Sequence, residues 1–467
     1  MKHAPYLSYR PSGVEWLGDM PEHWELVRLG RLGAFFKGGG GTKEDEVEGG
    51  VPCIRYGDLY TQHQFLIRQS RAGIAEASIS RYKQLRYGDL LFAGSGETIE
   101  EIGKSAVNLI GGPAYCGGDV IGLRPDIEID ATFLGYAADC SPAIYQKACM
   151  GRGVTVMHIY GSELKHLLVS LPPFQEQRAI AAFLDHETAK VDTLVAKNRQ
   201  LIERLAEYRT ALITRTVTKG LPPDVAKAEG FNPSPRLKPS GVEWIGDVPD
   251  HWDVMRLEHV ATYRTSSVDK KTADNELPVR LCNYTDVYYQ DRIRASEGDF
   301  MSATASPQEI ARFGLHVGDV VITKDSEDWT DIAVPSLIEE VADDFVCGYH
   351  LGIIRPEVAT DSAFIFRAMQ SVAVNRQLQV SASGVTRYGL PNPAVGDALI
   401  PMPPLPEQQA ISAYLDLQTK RITSLSSRVE TAIERLQEYR TALITAAVIG
   451  KIDVRDYAAV EAGGSAA

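Results

Sequence analysis

The sequence predicts an α+β protein in which two tandem globular domains are joined by two long helices packed as an antiparallel coiled coil. Three observations support this fold class: a duplicated order of sequence blocks, two long stretches without interior proline or glycine, and short β-type runs that follow glycine. The chain has 467 residues, of which 44% are hydrophobic and 23% charged, a typical globular composition. This composition excludes a disordered or fibrous chain.

The remaining composition predicts a cytoplasmic protein without a membrane partner. The chain lacks an apolar run of roughly 18 residues or more, so a transmembrane helix is not expected. Its first residues lack the apolar core of a secretory signal. Six cysteines are scattered without a Cys-x-x-Cys pair, which argues against a disulfide framework and a structural zinc site.

A duplication organises the whole chain. Residues 11–29, PSGVEWLGDMPEHWELVRL, match residues 239–257, PSGVEWIGDVPDHWDVMRL, at thirteen of nineteen positions. Residues 202–214, IERLAEYRTALIT, match residues 433–445 at twelve of thirteen positions. The segments between these blocks have diverged but keep short matches, such as a shared Gly-Val-Thr. The pattern predicts two related domains that perform one task on different targets.

The β-type runs predict small sheets in both domains. Asp89–Phe92 and Asp319–Thr323 are apolar and each follows a glycine turn. The long helices begin after paired prolines at 172–173 and 403–404, where the missing N–H is tolerated. Each then continues for about 40 residues, which is roughly 60 Å of helix.

A seam position recurs along both helices at alternating steps of four and three residues, and polar residues such as Glu187, Asn198 and Gln418 occupy some of these positions. The apolar seam residues are Ile180, Leu184, Val191, Leu194, Leu201, Leu205 and Leu212 in the first helix, and Ile411, Leu415, Ile422, Leu425, Val429, Leu436 and Leu443 in the second. A period of about 3.5 residues is typical of a coiled coil. The alternative is two separate surface helices, each packed on its own domain.

These features predict six segments. They are a first domain at 1–171, the first long helix at 172–219, a Pro-rich and therefore extended linker at 220–238, a second domain at 239–402, the second long helix at 403–450 and a tail at 451–467, frayed after Asp456.

Two short motifs resemble parts of adenine methyltransferases but lack the context that such enzymes need. Phe92-Ala-Gly-Ser-Gly96 matches a cofactor-loop pattern, but the aligned residues 322–326 contain no glycine. Leu171-Pro-Pro-Phe174 lacks the Asp or Asn that would hold an adenine amine. We therefore predict no catalytic residues and no metal site in this chain.

The order and duplication of the blocks resemble the specificity subunit of type I restriction–modification systems, over essentially the whole chain. The resemblance implies that 1–171 and 239–402 are target recognition domains, each recognising one half of an asymmetric split DNA site, with the coiled coil setting the spacer. It implies double-stranded DNA, two methyltransferase subunits and restriction motor-nuclease subunits as partners in a prokaryotic cytoplasm. S-adenosylmethionine, ATP and Mg²⁺ would bind those partners, and this chain would be non-catalytic.

The acidic net charge of the chain restricts where a DNA-binding surface can lie. The net charge is −13. Residues 29–170 hold 14 Lys and Arg against 16 Asp and Glu, and residues 257–400 hold 12 against 21. Neither core is basic overall, so the cations must cluster on one face, and the second domain is the weaker fit to DNA.

DNA-contact candidates are loop residues whose side chains bind bases or phosphates. In the first domain they are Lys37, Thr42, Lys43, Arg55, Tyr56, Ser95, Lys104, Arg152 and Thr155. In the second they are Arg264, Ser266, Lys270, Lys271, Asn283, Tyr284, Lys324, Ser326, Thr386, Arg387 and Tyr388.

Two other functions stay open on the sequence alone. A coiled-coil assembly scaffold would lack sequence preference, and it leaves the divergence of the two cores unexplained. A self-contained adenine-N6 DNA methyltransferase would need the two motifs that are incomplete here.

Overall fold

Two copies of one α+β arrangement make up the chain, and a computed structural model describes them over residues 4–457. The chain divides into two units. The first unit combines the chain up to Asn198 with the segment from Thr431 onward, and the second comprises Arg199–Glu430. Each unit therefore contains one globular domain, the first part of one long helix and the last part of the other.

The first unit is built on a five-stranded sheet. In spatial order its strands are Gly33–Lys37, Val120–Pro125, Leu90–Ala93, Ser105–Asn108 and Phe65–Ile67. Neighbours are antiparallel except for the last pair, which is parallel. The central strand is buried along its whole length, as its apolar run predicts. A second sheet has the order Gly73–Ile74, Glu46–Ile54, Ala114–Cys116 and Lys83–Leu85.

Short helices complete the first unit. The α-helices are Tyr56–Thr61, Ala131–Asp139, Ser141–Met150 and Gly161–Leu164, and the 3-10 helices are Leu29–Arg31, Lys43–Asp45 and Glu76–Arg81. Helix Ala131–Asp139 begins where the Asp130 carboxylate accepts a hydrogen bond from the backbone N–H of Phe133 at 2.8 Å. This cap satisfies one of the free N–H groups of the first turn.

The second unit repeats this architecture. Its five-stranded sheet has the order Ala261–Thr265, Leu351–Pro356, Val320–Thr323, Pro335–Glu340 and Arg292–Arg294. A three-stranded sheet has the order Met301–Ala305, Leu277–Cys282 and Phe345–Cys347. The helices are Pro223–Ala228, Leu257–His259, Tyr284–Tyr289, Pro307–Phe313, Ser362–Gln370, Val372–Ser381 and Asn392–Asp397. Both predicted β-type runs are therefore central strands, which confirms the α+β fold class.

The repeated block at the start of each domain forms a hairpin followed by a short strand. The hairpins pair Tyr9–Pro11 with Asp19–Pro21 and Leu237–Pro239 with Asp247–Pro249. The following strands, Glu25–Arg28 and Asp253–Arg256, pair with Leu168–Leu171 and Leu399–Met402, which immediately precede the long helices. The repeated block therefore lies against the start of a long helix in both units.

Buried tryptophans fix each long helix at its first turn. The indole N–H of Trp24 donates to the Glu176 carboxylate at 2.9 Å, and that of Trp252 donates to Glu407 at 3.0 Å. Both tryptophans are fully buried. Each glutamate lies near the positive end of the helix dipole, which favours its charge.

The long helices span Phe174–Lys219 and Leu405–Val448. In the first unit, the beginning of the first helix and the end of the second share one core, which includes Leu184 and Leu443. In the second unit, the end of the first helix and the beginning of the second share a core that includes Ile213 and Leu415. The helices therefore pack in antiparallel orientation within each unit, as predicted.

The predicted seam is only partly buried. Ile180, Leu184, Val191, Ile411, Leu415, Ile422, Val429 and Leu443 are buried, and Leu205, Leu212 and Leu436 are half-buried. Leu194, Leu201 and Leu425 are exposed, so the expectation is wrong for these three, whereas Val195 beside Leu194 is buried. A helix with 3.6 residues per turn drifts by about 20° per heptad from a strict seven-residue repeat, and this drift moves some predicted positions off the buried face.

The segments outside the domains and long helices are more ordered than predicted. The linker contains the helix Pro223–Ala228, whose Ala226 is buried, so it is not extended throughout. The start of the tail packs on the first unit, where the Asp453 N–H donates to the Ala4 carbonyl at 2.8 Å and Val454 is buried. The predicted fraying beyond Asp456 falls largely on residues 458–467, which lie outside the described residues.

Candidate nucleic-acid interface

A small three-stranded ribbon extends from the central strand of each main sheet. The first ribbon consists of Ser95–Gly96, Met157–His158 and Arg152–Gly153, in that spatial order. The second ribbon consists of Asp325–Ser326, Tyr388–Gly389 and Ser383–Gly384. All ribbon strands are antiparallel. Each ribbon begins one residue after the central strand ends, so the sheet directly supports it.

The ribbon tips have the same geometry in both units. Gly153 has a φ of 143° and Gly384 a φ of 152°. A Cβ at these positions would lie 2.0 Å from the Val156 carbonyl oxygen or 1.9 Å from that of Arg387. Glycine is therefore required at both places. The valines that follow, Val154 and Val385, are 95% and 92% exposed.

Polar side chains brace the first ribbon against its domain. Ser95 is buried, and its hydroxyl hydrogen-bonds with His158 Nδ1 at 3.0 Å. The Tyr60 hydroxyl donates to the Ser95 carbonyl at 3.1 Å. A cleft of about 340 Å³ beside the ribbon is lined by Lys37, Ser95, His158 and Lys165. The fold thus brings Lys37 and Ser95 together, although they are distant in sequence.

The second ribbon is braced by different residues. His350 Nδ1 hydrogen-bonds with the Asp325 carboxylate. Burial raises the pKa of the Tyr284 phenol, while its hydrogen bond with Ser326 and the nearby charge of Arg387 oppose that rise. Tyr284, Ser326 and Arg387 therefore lie together at this ribbon.

Several predicted DNA-contact residues hold their own domain together. Arg55 pairs with Glu46 at 2.8 Å and donates to the Thr42 carbonyl at 3.2 Å. Asn283 is a buried helix cap whose N–H donates to Asp286 at 2.7 Å. In the second domain, the Ser266 hydroxyl donates to the Cys347 carbonyl at 2.5 Å, and Arg264 donates to the Arg312 carbonyl at 3.3 Å.

Other candidates are exposed. They are Lys37, Thr42, Tyr56, Arg152, Thr155, Lys270, Lys271, Thr386 and Arg387. Lys104, Lys324 and Tyr388 are half-buried. The Lys270 ammonium lies 5.8 Å from the centre of the Tyr349 ring. The side chain of Lys43 lies outside the described part of the structure.

The expectation that the candidates occupy loops is wrong for about half of them. Lys37, Ser95, Arg152, Arg264, Ser326 and Tyr388 are strand residues, and Lys43, Tyr56 and Tyr284 lie in helices. A run of glycine, serine and lysine resembles a loop in sequence, but here such residues lie in strands only two to five residues long.

Comparisons with known proteins agree on one family. A family model described as a type I restriction modification DNA specificity domain matches residues 21–204. The type I restriction enzyme MjaVIII specificity subunit of Methanocaldococcus jannaschii is 21% identical, over 94% of this chain and 95% of its own. The putative MjaX specificity subunit of that organism is 24% identical, over 94% and 96%. This chain is similar to type I specificity subunits over nearly its whole length.

A solved structure supports the fold of this chain. A chain described for complex assembly and conformational transition of the type I R-M system superposes with a TM-score of 0.64 at 18% identity, over 93% of this chain and 99% of that chain. Within residues 4–457, no group of three or more His, Cys, Asp or Glu side chains is arranged to hold a metal ion. In the same residues, no helix has the length and apolar character needed to cross a membrane.

Three residues of the ribbons were not among the candidates that the sequence indicated. Val154 and Val385 are at the exposed tips, and His158 contacts Ser95 inside the first ribbon. A signal was present in the sequence, because Gly-Val-Thr is one of the few short matches inside the diverged cores. Its apolar valine does not fit a search for cations and hydrogen-bonding side chains.

Proposed function

We propose that this chain is the non-catalytic DNA sequence-recognition subunit of a type I restriction–modification complex. Each recognition domain, at 1–171 and 239–402, recognises one half of an asymmetric bipartite site. The observation that supports this most is the pair of ribbons, which share a backbone frame but differ in side chains. Two-stranded β-ribbons fit the major groove of DNA, where every base pair has a distinct pattern of donors and acceptors.

We also propose two methyltransferase subunits as partners, one for each unit. A cleft of about 840 Å³ in the first unit is lined by the exposed face of residues 437–446 together with Ser141. A cleft of about 740 Å³ in the second unit is lined by the matching residues 206–215 together with Val372. Both clefts use the block that is repeated at twelve of thirteen positions. Two nearly identical surfaces on one chain suit two copies of one partner.

The chemistry in this proposal belongs to the partners. S-adenosylmethionine would bind the methyltransferase subunits, and ATP and Mg²⁺ the restriction motor-nuclease subunits, in a prokaryotic cytoplasm. In this chain, Gly94 of the Phe-x-Gly-x-Gly motif is the single residue between the central strand and the first ribbon, and Phe174 of the Leu-Pro-Pro-Phe motif begins a long helix. Both motifs therefore have structural roles.

The test is a map of N6-methyladenine across the host genome with this gene intact and with it deleted. Loss of methylation at one split motif with a fixed gap supports sequence recognition. Methylation without sequence preference by the reconstituted complex supports the scaffold alternative. Methyl transfer by the purified chain alone supports the enzyme alternative.

A second test concerns the spacer. Inserting one heptad into each long helix keeps the seam and adds about 10 Å, which corresponds to roughly three base pairs. The methylated motif should keep both half-sites and widen its gap by that amount. The matched control replaces one heptad in each helix by another of equal length and should leave the gap unchanged. An unaltered gap in the longer variant contradicts the proposal that the helices set the spacer.

A further inference from the structure

The two ribbons share some positions and differ at others. Corresponding residues of the two units are 231 positions apart. Ser95 of the first ribbon corresponds to Ser326 of the second, and Gly-Val-Thr at 153–155 corresponds to Gly-Val-Thr at 384–386. The first ribbon has Arg152, Val156, Met157 and His158 where the second has Ser383, Arg387, Tyr388 and Gly389. The common Gly-Val-Thr forms the tip of each ribbon, and the residues that differ lie on either side of it.

Each ribbon has one arginine, and the two arginines lie on opposite sides of the common tip. Arg152 comes directly before the Gly-Val-Thr tip and pairs across the ribbon with His158. Arg387 comes directly after the tip. Both are exposed, and the Arg152 side chain is 77% exposed. Its guanidinium is 3.9 Å from the Glu163 carboxylate, a contact that contributes little at that exposure.

The surroundings favour base recognition over phosphate binding for these arginines. The first strand of each ribbon is followed by an exposed acidic loop, with Glu97, Glu100 and Glu101 in the first unit and Glu327 and Asp328 in the second. Carboxylates next to the ribbon repel the phosphate backbone. Arginine forms two parallel hydrogen bonds to the O6 and N7 atoms of guanine, the commonest specific contact in the major groove.

We propose that Arg152 and Arg387 each recognise a guanine in the major groove, from opposite sides of the common Val-Thr tip. Neighbouring strands are about 4.8 Å apart, and base pairs are stacked about 3.4 Å apart. Moving the arginine from one side of the tip to the other therefore shifts it by one to two base pairs. This inference rests on the proposed function. It names the residue that specifies a guanine in each half-site and the position of that residue relative to the tip.

The test uses the full chain in complex with its methyltransferase subunits and a plasmid library in which each half-site is randomised. Methylated sites are then sequenced. Arg152→Ala should lower discrimination at one guanine of one half-site by about 10-fold or more, and leave the other half-site unchanged. Arg387→Ala should do the same in the other half-site. Arg71→Ala, which removes an exposed arginine outside the ribbon, is the control of equal charge and should leave the motif unchanged.

Two further variants distinguish a direct base contact from a charge effect. Arg152→Lys keeps the charge but replaces the rigid planar donor pair by one flexible ammonium, so discrimination at the guanine should fall, though less than in Arg152→Ala. The double change Arg152→Ser with Val156→Arg gives the first ribbon the arginine position of the second, so the preferred guanine should move by one to two base pairs.

Provided that the wild-type complex methylates a split motif, three results would overturn the inference. They are a half-site without guanine, an unchanged motif in both alanine variants, and an equal loss at all positions of both half-sites. Absence of any sequence preference in the wild-type complex would instead remove the proposed function itself.

Discussion

The first unit contains a buried ion pair that the second unit lacks. The Lys147 and Asp139 side chains are 1% and 5% exposed. The Lys147 ammonium also donates to the Ala138 carbonyl at 3.0 Å and to the Ser105 hydroxyl at 3.2 Å. The Ser105 backbone N–H donates to Asp139 at 3.2 Å. Each of the two buried charges is therefore stabilised by the opposite charge and by these hydrogen bonds.

We expect Asp139→Ala to destabilise the first unit strongly. The change leaves the Lys147 ammonium buried without its carboxylate, which costs about 3–5 kcal/mol. The second unit provides the matched control, because Gln370 and Leu378 occupy the corresponding positions. The double variant Asp139→Gln with Lys147→Leu should therefore lie close to the wild type, since replacing both charges is often neutral.

The assay is urea unfolding of the full chain followed by far-ultraviolet circular dichroism, with thermal melting as a second readout. For a unit of this size, a loss of 3–5 kcal/mol corresponds to a decrease of about 6–20 °C in the first unit's Tm. The second unit's transition should stay in place. Two results refute the reasoning: Asp139→Ala within about 1 kcal/mol of the wild type, or a double variant less stable than Asp139→Ala.

Three further predictions follow from other contacts. Gly153→Ala should disrupt the first ribbon, because the alanine Cβ would lie 2.0 Å from the Val156 carbonyl oxygen. Recognition of one half-site should be lost in the methylation assay, while the melting profile of the chain should stay that of the wild type. Glu407→Ala should destabilise the second unit by about 1–3 kcal/mol in urea titrations, because the buried Trp252 N–H loses its acceptor. The exposed Cys149 should react quickly with a thiol reagent at pH 8. Burial raises the pKa of the Cys53 thiol to about 12, so this thiol should stay protonated and react only after unfolding.

Repetition made the architecture predictable from the sequence. Blocks that match at most positions indicate the same fold twice, and proline-free heptads indicate long helices. The matches inside the diverged cores also have a structural meaning. Gly88-Asp89 matches Gly318-Asp319, and Arg124-Pro125 matches Arg355-Pro356. In both units this arginine donates two hydrogen bonds to this aspartate, at 2.6–2.8 Å. Such pairs hold neighbouring strands of the main sheet in register.

The interface candidates were less predictable, because the role of a polar residue depends on partners that are distant in sequence. Arg55 and Arg152 look alike in the sequence, but a carboxylate and a carbonyl hold Arg55, whereas Arg152 extends into solvent. Ser95 looks like a loop hydroxyl, but it is buried in a ribbon strand against His158. Residue type and local spacing contain no information about such long-range neighbours.

Ion pairs further reduce the number of cations in the second domain that are available to bind DNA phosphates. Residues 257–400 have 12 cations, and several of these already neutralise carboxylates. The paired arginines are Arg280, Arg292, Arg294, Arg355 and Arg367. These arginines hold strands and helices together and contribute little attraction to phosphate. Since affinity for the DNA backbone grows with the number of phosphates neutralised, this domain has little general attraction for DNA. Under the proposed function, recognition by this domain would depend on a few directional contacts, such as the one proposed for Arg387, with the partner subunits holding the DNA in place.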